Sequence, residues 1–150
     1  MNRLSQNELI GVVAIQSALD NLEDQHLSLA KAMLILPLAF DKAVRSILKR
    51  KNSVVLSAKD LLISNPSSFI TIRSRYEDLT ITSLNAIILA QEMGVAALTG
   101  NHLTLNKKIF FQGESEIGKI ASDILASGPN IGVIISESTA DLYQIFRIEL

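Results

Sequence analysis

The chain has 150 residues, of which 48% are hydrophobic and 19% are charged, and its formal net charge is -1. This length suits one domain with its own core, so we predict a single domain over residues 1–150. The near-zero net charge excludes a general attraction to nucleic acid or membranes, so any polyanion must meet a local patch. The absence of cysteine excludes disulfides and thiolate chemistry. The mean hydropathy of +0.31 is high for a soluble monomer, which favours an apolar surface that faces a partner.

The N-terminal segment reads as an ordinary amphipathic helix. Ser5-Gln6-Asn7-Glu8 has the form of a capping box, so we predict a first helix from Gln6 to about Leu22. Its early polar residues distinguish it from a signal peptide, and no charge-free stretch approaches the ~20 apolar residues that a bilayer span requires. We therefore expect a cytoplasmic protein without a membrane partner.

A proline divides the next apolar segment. Leu27 to Leu36 is apolar on nearly every side, which predicts a buried helix. This helix either kinks before Pro37, or stops there and a new helix starts with Pro37 at its first position. After the proline we predict an amphipathic helix, because at ~100° per residue the apolar and basic side chains fall on opposite faces. Its apolar face consists of Phe40, Val44, Ile47 and Leu48, and its basic face of Lys42, Arg45 and Lys49, followed by Arg50 and Lys51.

Further helices and a hairpin are predicted before residue 106. Asn52 to Leu56 is a β-prone connection, after which helices start at Ser57, at Ser67 or Ser68, and at Thr80 or Thr82, and end at Asn65-Pro66, near Asp78 and at Gly94. The last of them is predicted to carry Leu84, Ile87, Ile88 and Met93 on one face. Gly100-Asn101 lies between two β-prone runs and indicates a two-residue hairpin turn.

This order of helices and hairpin is typical of a winged helix-turn-helix. Beyond the hairpin we predict a strand at Ile109 to Phe111, a helix from Glu116 to Ala126 and a last helix capped by Ser138. The predicted fold class is therefore mainly α with a small β-hairpin. We expect a winged-helix-like helical domain whose core lies at about residues 37–105, with the N- and C-terminal helices packed on it.

One motif is similar to a phosphate-binding loop. Gly113 to Ile120 fits the pattern G-x-x-x-x-G-K. However, Ile120 replaces the hydroxyl residue that would bind Mg²⁺, and Glu114 and Glu116 carry negative charge where phosphates would lie. We interpret the motif as a glycine-rich helix start with acidic residues near its positive end, and a nucleotide-binding enzyme as the weaker alternative.

No other residues form a recognisable catalytic or metal site. His26 and His102 stand apart in the sequence and are interpreted as surface or turn residues rather than metal ligands. No nucleophile motif such as G-x-S-x-G is present. We therefore name no catalytic, cofactor-binding or metal-binding residue, and expect neither an enzyme nor a cofactor.

The positions of Lys and Arg in the sequence indicate whether the predicted winged helix suits DNA. The predicted recognition helix and hairpin, Tyr76 to Asn106, contain no Lys or Arg. Since phosphate contacts by these residues supply most DNA affinity, this face suits a protein partner better than duplex DNA. Three interpretations of the basic ridge stay open: a solvated helix face, contact with DNA phosphates, and ion pairing with an acidic partner. The ridge comprises Lys42, Arg45, Lys49, Arg50 and Lys51.

The chain resembles a known family of small subunits in three features. These are Leu36-Pro37-Leu38 followed by Lys42 and Arg45, Asn65-Pro66 followed by Arg73 and Arg75, and a helix that runs into a small hairpin. The family is the middle component of bacterial three-component ABC systems, found with an SMC-like ABC ATPase and an effector in Lamassu-type anti-phage defence. The likeness runs from about Leu27 to Leu105.

The resemblance implies a non-catalytic accessory subunit that docks on the ATPase and helps couple the sensing of foreign DNA ends or plasmids to effector release. Its partners are then the SMC-like ABC ATPase, a nuclease-like effector subunit and, through the complex, double-stranded DNA. Under this hypothesis Pro37, Leu38 and Phe40 are the predicted docking residues, and the basic ridge contacts DNA phosphate or an acidic partner. The alternative function is a winged-helix transcriptional regulator that binds DNA.

Overall fold

The structure, a computed structural model, describes residues 3–50, 57–114 and 117–149, with side chains described from residue 7 onward. The fold is mainly helical with a small antiparallel sheet, which confirms the predicted class. The strands are β1 His26–Ser28, β2 Ala96–Thr99 and β3 His102–Leu105. The helices are α1 Arg3–Asp20, α2 Leu29–Ala32, α3 Ile35–Ala39, α4 Lys42–Leu48, α5 Ala58–Ser64, α6 Pro66–Phe69, α7 Ile72–Asp78, α8 Thr80–Glu92, α9 Gly118–Ile135 and α10 Thr139–Ile145.

The three strands form one sheet in the order β1-β3-β2. The predicted hairpin is confirmed: β2 and β3 pair across a turn at Gly100 and Asn101, where Gly100 adopts a φ of +60° that favours glycine. The sequence does not predict β1, because three residues are too few to show alternation. It is stabilised by pairing with β3, where Leu27 lies opposite Leu103 and both side chains are buried.

Helix α1 forms the centre of the fold and packs against both α8 and α9. Glycine permits these close approaches. A Cβ at Gly11 would lie 2.7 Å from the Ala86 Cβ, and a Cβ at Gly132 would lie 2.6 Å from the Asn21 carbonyl oxygen. The predicted capping box is wrong, because α1 already begins at Arg3 and Ser5 lies within it.

Helix α9 is longer than predicted. The sequence predicts its end near Ala126, yet its 18 residues continue through Pro129 to Ile135. Pro129 is exposed, whereas Gly128 is buried so closely against α1 that a Cβ there would meet the Asn21 and Ser17 side chains. Packing against α1 therefore outweighs the low helix propensity of glycine and proline.

The proline segment also differs from the prediction. The buried helix expected over Leu27 to Leu36 is divided into β1, α2 and the start of α3, and Pro37 lies in the first turn of α3. There its missing N–H costs no hydrogen bond. The amphipathic helix starts later, at α4, where the Asp41 carboxylate accepts a 3.0 Å hydrogen bond from the Val44 N–H as the N-cap.

Local capping signals are correct at two helices and wrong at two others besides α1. Ser57 and Ser138 cap α5 and α10 as predicted. By contrast, Ser67 and Ser68 lie inside α6, and α8 follows Leu79 without a side-chain cap from either predicted threonine. The predicted helix ends at Asn65-Pro66, Asp78 and Gly94 are confirmed. The predicted connection at Asn52 to Leu56 lies outside the described residues.

Residues 109–111 do not form the predicted strand. Instead, the buried Gln16 side chain forms the hydrogen bonds with this backbone that a neighbouring strand would form. Its carbonyl oxygen accepts hydrogen bonds from the Ile109 and Phe110 N–H groups at 2.9 and 3.0 Å, and its amide donates to the Phe110 carbonyl at 2.7 Å. The backbone of this segment is thereby satisfied by one side chain of α1.

Candidate functional site

An apolar stripe is exposed along helix α8. Ile81, Leu84 and Ile88 are 72%, 43% and 52% exposed. Their spacing of three and four residues places them on one face. Of the residues predicted to share one face, Leu84 and Ile88 are therefore exposed, whereas Ile87 is buried.

The buried side of α8 explains this orientation. It consists mainly of small residues, among them Ser83, Ala86 and Ala90, which lie against α1 where Gly11 also lacks a side chain. The two backbones approach closely only if the large residues of α8 point elsewhere. The leucine and isoleucine side chains of the stripe are thus excluded from this interface and remain at the surface.

Acidic residues flank the stripe at both ends. Glu92 follows Ile88 by one helical turn, and Asp78 is the last residue of α7, two positions before α8 begins; both are exposed. Among the described residues neither forms a salt bridge, whereas Glu77 is paired with Arg73 at 3.4 Å. Since residues 76–106 contain no Lys or Arg, the surface of α8 is apolar at its centre and negative at its ends.

The basic ridge of α4 is confirmed as a surface feature only in part. Lys42 and Arg50 are exposed, but the Arg45 guanidinium donates to the Ala39 and Phe40 carbonyls at 3.1 and 2.8 Å, where it covers the C-terminal end of α3. Lys49 Nζ lies 3.2 Å from the Asp123 carboxylate of α9. Lys51 lies outside the described residues. The role of these cations in phosphate or partner contact stays a prediction.

The structure adds one cation to this ridge that the sequence does not connect with it. Lys119, in the first turn of α9, joins Lys42, Arg45 and Lys49 around a cleft of about 280 Å³, which we call the α4–α9 cleft. Its remaining lining residues are Ser46, Ile120 and Asp123. Lys119 belongs to the motif interpreted as a helix start, and only the packing of α4 against α9 brings it near the ridge.

The predicted docking residues are not equally accessible. Pro37 and Leu38 are buried in the core, so in this structure neither side chain is available to a partner, while Phe40 is half-buried. The Pro37 carbonyl instead accepts a 2.9 Å hydrogen bond from Arg75 Nε of α7. Burial lowers the pKa of Arg75, an effect that the carboxylate of Asp41, 3.7 Å away, partly offsets. Arg75 therefore links α7 to the proline segment.

The phosphate-loop motif lacks the strand that such a loop requires. Residues 109–111 are irregular, and helix α9 begins at Gly118, which has a φ of +82°. Ser115 and Glu116 lie outside the described residues. The interpretation as a glycine-rich helix start agrees with this geometry.

The two histidines lie close together rather than apart. His26 and His102 are on neighbouring strands with their rings 5.7 Å apart in an edge-on arrangement, beside a cavity of about 390 Å³ that Glu23 and Asp24 also line. The sequence misses this proximity because it arises from the pairing of β1. Within the described residues, no cluster of three or more His, Cys, Asp or Glu side chains could hold a metal ion. None of the described helices is long and apolar enough to cross a membrane.

The fold and these surfaces define a small helical protein with an apolar, acid-flanked face and a separate basic cleft. Residues 2–150 match the model of the family described as ABC-three component (ABC-3C) system Middle Component 3, so the chain belongs to this family. It is thus a component of a multi-component system, which confirms the resemblance to a middle component. No curated protein and no solved structure matches the chain. The Lamassu type and the SMC-like partner stay predictions.

Proposed function

We propose that the chain is a non-catalytic accessory subunit, acting in the cytoplasm, that bridges an SMC-like ABC ATPase and an effector in bacterial defence against phage or plasmids. Membership of the ABC-3C middle-component family supports a role among other components of such a system. The observation that carries the proposal is the exposed stripe of Ile81, Leu84 and Ile88 on α8. Large aliphatic residues aligned on one exposed helix face are typical of a surface that a partner covers.

The charge around the stripe indicates the chemistry of that partner. With an acidic residue beyond each end and no cation between residues 76 and 106, the face complements an amphipathic segment whose apolar residues are flanked by Lys or Arg. We assign this segment to the ATPase. Full burial of an exposed aliphatic side chain stabilises by about 1.5–3 kcal/mol, and the three residues of the stripe, 72%, 43% and 52% exposed, can each contribute part of this at the centre of an interface.

The test is the affinity between the full chain and the proposed SMC-like ABC ATPase of the same system. Ile88→Asp is expected to raise the Kd at least ~10-fold, equivalent to about 1.4 kcal/mol, because it removes a central apolar contact and adds charge. Glu92→Lys is expected to raise the Kd and weaken its dependence on salt, because it opposes the basic flank of the partner. Ile63→Asp is the matched control, since Ile63 is an exposed helical isoleucine on α5.

Circular dichroism of each variant separates loss of binding from loss of folding. Equal affinities for wild type and Ile88→Asp, or an equal loss in Ile63→Asp, would contradict docking through α8. Retained binding with Glu92→Lys at low salt would contradict only the basic character of the partner segment.

The alternative, a winged-helix regulator, draws support from the hairpin that directly follows α8 and from the pairing of β1 with that hairpin. It requires strongly salt-dependent binding to duplex DNA that is lost on changing residues 76–106. The absence of Lys and Arg from this range weighs against it.

A further inference from the structure

The α4–α9 cleft concentrates positive charge from two separate elements. Lys42, Arg45 and Lys49 come from α4 and its C-terminal end, and Lys119 comes from α9. Among the described residues that line the cleft, Asp123 is the one carboxylate, so cations prevail among them although the whole chain has a net charge of -1. In the sequence, Lys119 lies far from the other three cations, on the far side of the hairpin.

The four cations differ in how they are used. Arg45 is fixed by two backbone carbonyls, and Lys49 is paired with Asp123. Among the described residues, neither Lys42 nor Lys119 forms an ion pair, and both are exposed. The cleft thus combines two cations that structural contacts position with two that remain available to an anion.

The first turn of α9 adds to this field. Lys119 and Ile120 belong to the start of an 18-residue helix, where backbone N–H groups without an intrahelical partner carry partial positive charge. Glu114, whose charge argues against a phosphate in the loop that precedes this helix, is not among the described residues that line the cleft. The Ile120 side chain is 48% exposed, so it lies at the surface of the cleft rather than in the core.

We propose that the α4–α9 cleft binds a phosphoryl group, with Lys42 and Lys119 as its direct contacts and Arg45 and Lys49 as positioned supporting charges. Several donors that converge from two elements suit an anion with several oxygen atoms, and lysine binds phosphate as a point charge. The phosphoryl group belongs either to a nucleic-acid backbone or to a free nucleotide. The described lining residues include no aromatic ring, so none of them supports base stacking. This inference is independent of docking through α8.

The Lys49–Asp123 pair makes the proposal sharply testable. Asp123 both repels an incoming phosphate and occupies Lys49. Asp123→Asn is therefore expected to tighten phosphate binding by roughly 3-fold, because it removes one negative charge and keeps all four cations. A merely solvated helix face predicts no such gain.

The experiment measures binding of the full chain to a short DNA duplex, to ATP, to inorganic phosphate and to polyglutamate over a range of salt concentrations. The double variant Lys42→Ala/Lys119→Ala is expected to weaken duplex binding roughly 10-fold at low salt and to reduce the slope of log K against log[salt] by about 2. Lys59→Ala is the matched control, since Lys59 is an exposed helical lysine of α5 that does not line the cleft.

The pattern of ligands identifies the source of the phosphate. Duplex binding that Asp123→Asn tightens and the double variant weakens supports a nucleic-acid backbone. Binding of ATP and phosphate alone supports a free nucleotide. The proposal would be overturned if no phosphate ligand binds, or if Lys59→Ala weakens duplex binding as much as the double variant does. It would also be overturned if the variants change only the affinity for polyglutamate. If the double variant does not fold, Asp123→Asn still tests the proposal: tighter phosphate binding supports it, and unchanged or weaker binding overturns it. In the ATPase binding assay, the cleft variants are expected to behave like wild type.

Discussion

Replacing Gln16 by leucine tests the contact that orders the segment between the hairpin and α9. The Gln16 side chain is 1% exposed and forms three hydrogen bonds with the backbone of Ile109 and Phe110. Leucine has a similar volume, so the substitution leaves little cavity but removes all three bonds. At about 1 kcal/mol for each net hydrogen bond, Gln16→Leu should lower the free energy of unfolding by about 3 kcal/mol.

The loss is measurable in two ways. Urea denaturation gives the free energy directly, and in a chain of this size the melting temperature should fall by roughly 6–12 °C. Hydrogen exchange should show that the Ile109 and Phe110 amides lose protection before the rest of the fold. Gln144→Leu is the control, because Gln144 is an exposed glutamine of helix α10. A loss no larger than that of Gln144→Leu, or unchanged protection of the two amides, would refute the assigned role of Gln16.

Two further predictions concern buried hydroxyl groups. Ser83 Oγ is buried without a hydrogen-bond partner among the described residues, so Ser83→Ala should raise the free energy of unfolding by about 1 kcal/mol in urea titrations; a decrease would show that the hydroxyl is satisfied. Burial, with Tyr76 close by, raises the pKa of Tyr143, whose hydroxyl donates to the Ala30 carbonyl. Since an unfolded tyrosine ionises at pH ~10 and Tyr143 in the folded chain only at higher pH, the contribution of Tyr143 to stability should be constant below pH ~10 and fall above it. Melting curves from pH 8 to 11 should show a smaller alkaline loss in Tyr143→Phe than in wild type, and equal losses would contradict this assignment.

The sequence predicts best the features that neighbouring residues determine. The caps at Ser57 and Ser138, the turn at Gly100-Asn101 and the helix end at Gly94 each depend on a few adjacent residues, and all are found where expected. The family resemblance adds the correct class of subunit, a middle component, which the family match over residues 2–150 confirms.

The features that the sequence misses depend on contacts between distant segments. Strand β1 exists because β3 lies beside it, and residues 109–110 are ordered by Gln16, more than ninety positions earlier. The outward stripe of α8 follows from the need for small residues against α1, so hydrophobicity alone does not show which side of this helix is buried. Lys119 becomes part of the basic cleft only through the packing of α4 against α9.

The position of α1 bears on how one small chain could serve two ligands. It packs against α8, which carries the apolar stripe, and against α9, which contributes Lys119 to the cleft. A common central helix fixes the two surfaces within one core, so a partner on α8 and a phosphate in the cleft would be held at a constant separation. The charges also differ: acidic residues flank the stripe, and cations prevail in the cleft. A phosphate is therefore repelled from the proposed protein-binding face and attracted to the cleft, so the two proposed ligands do not compete for one surface.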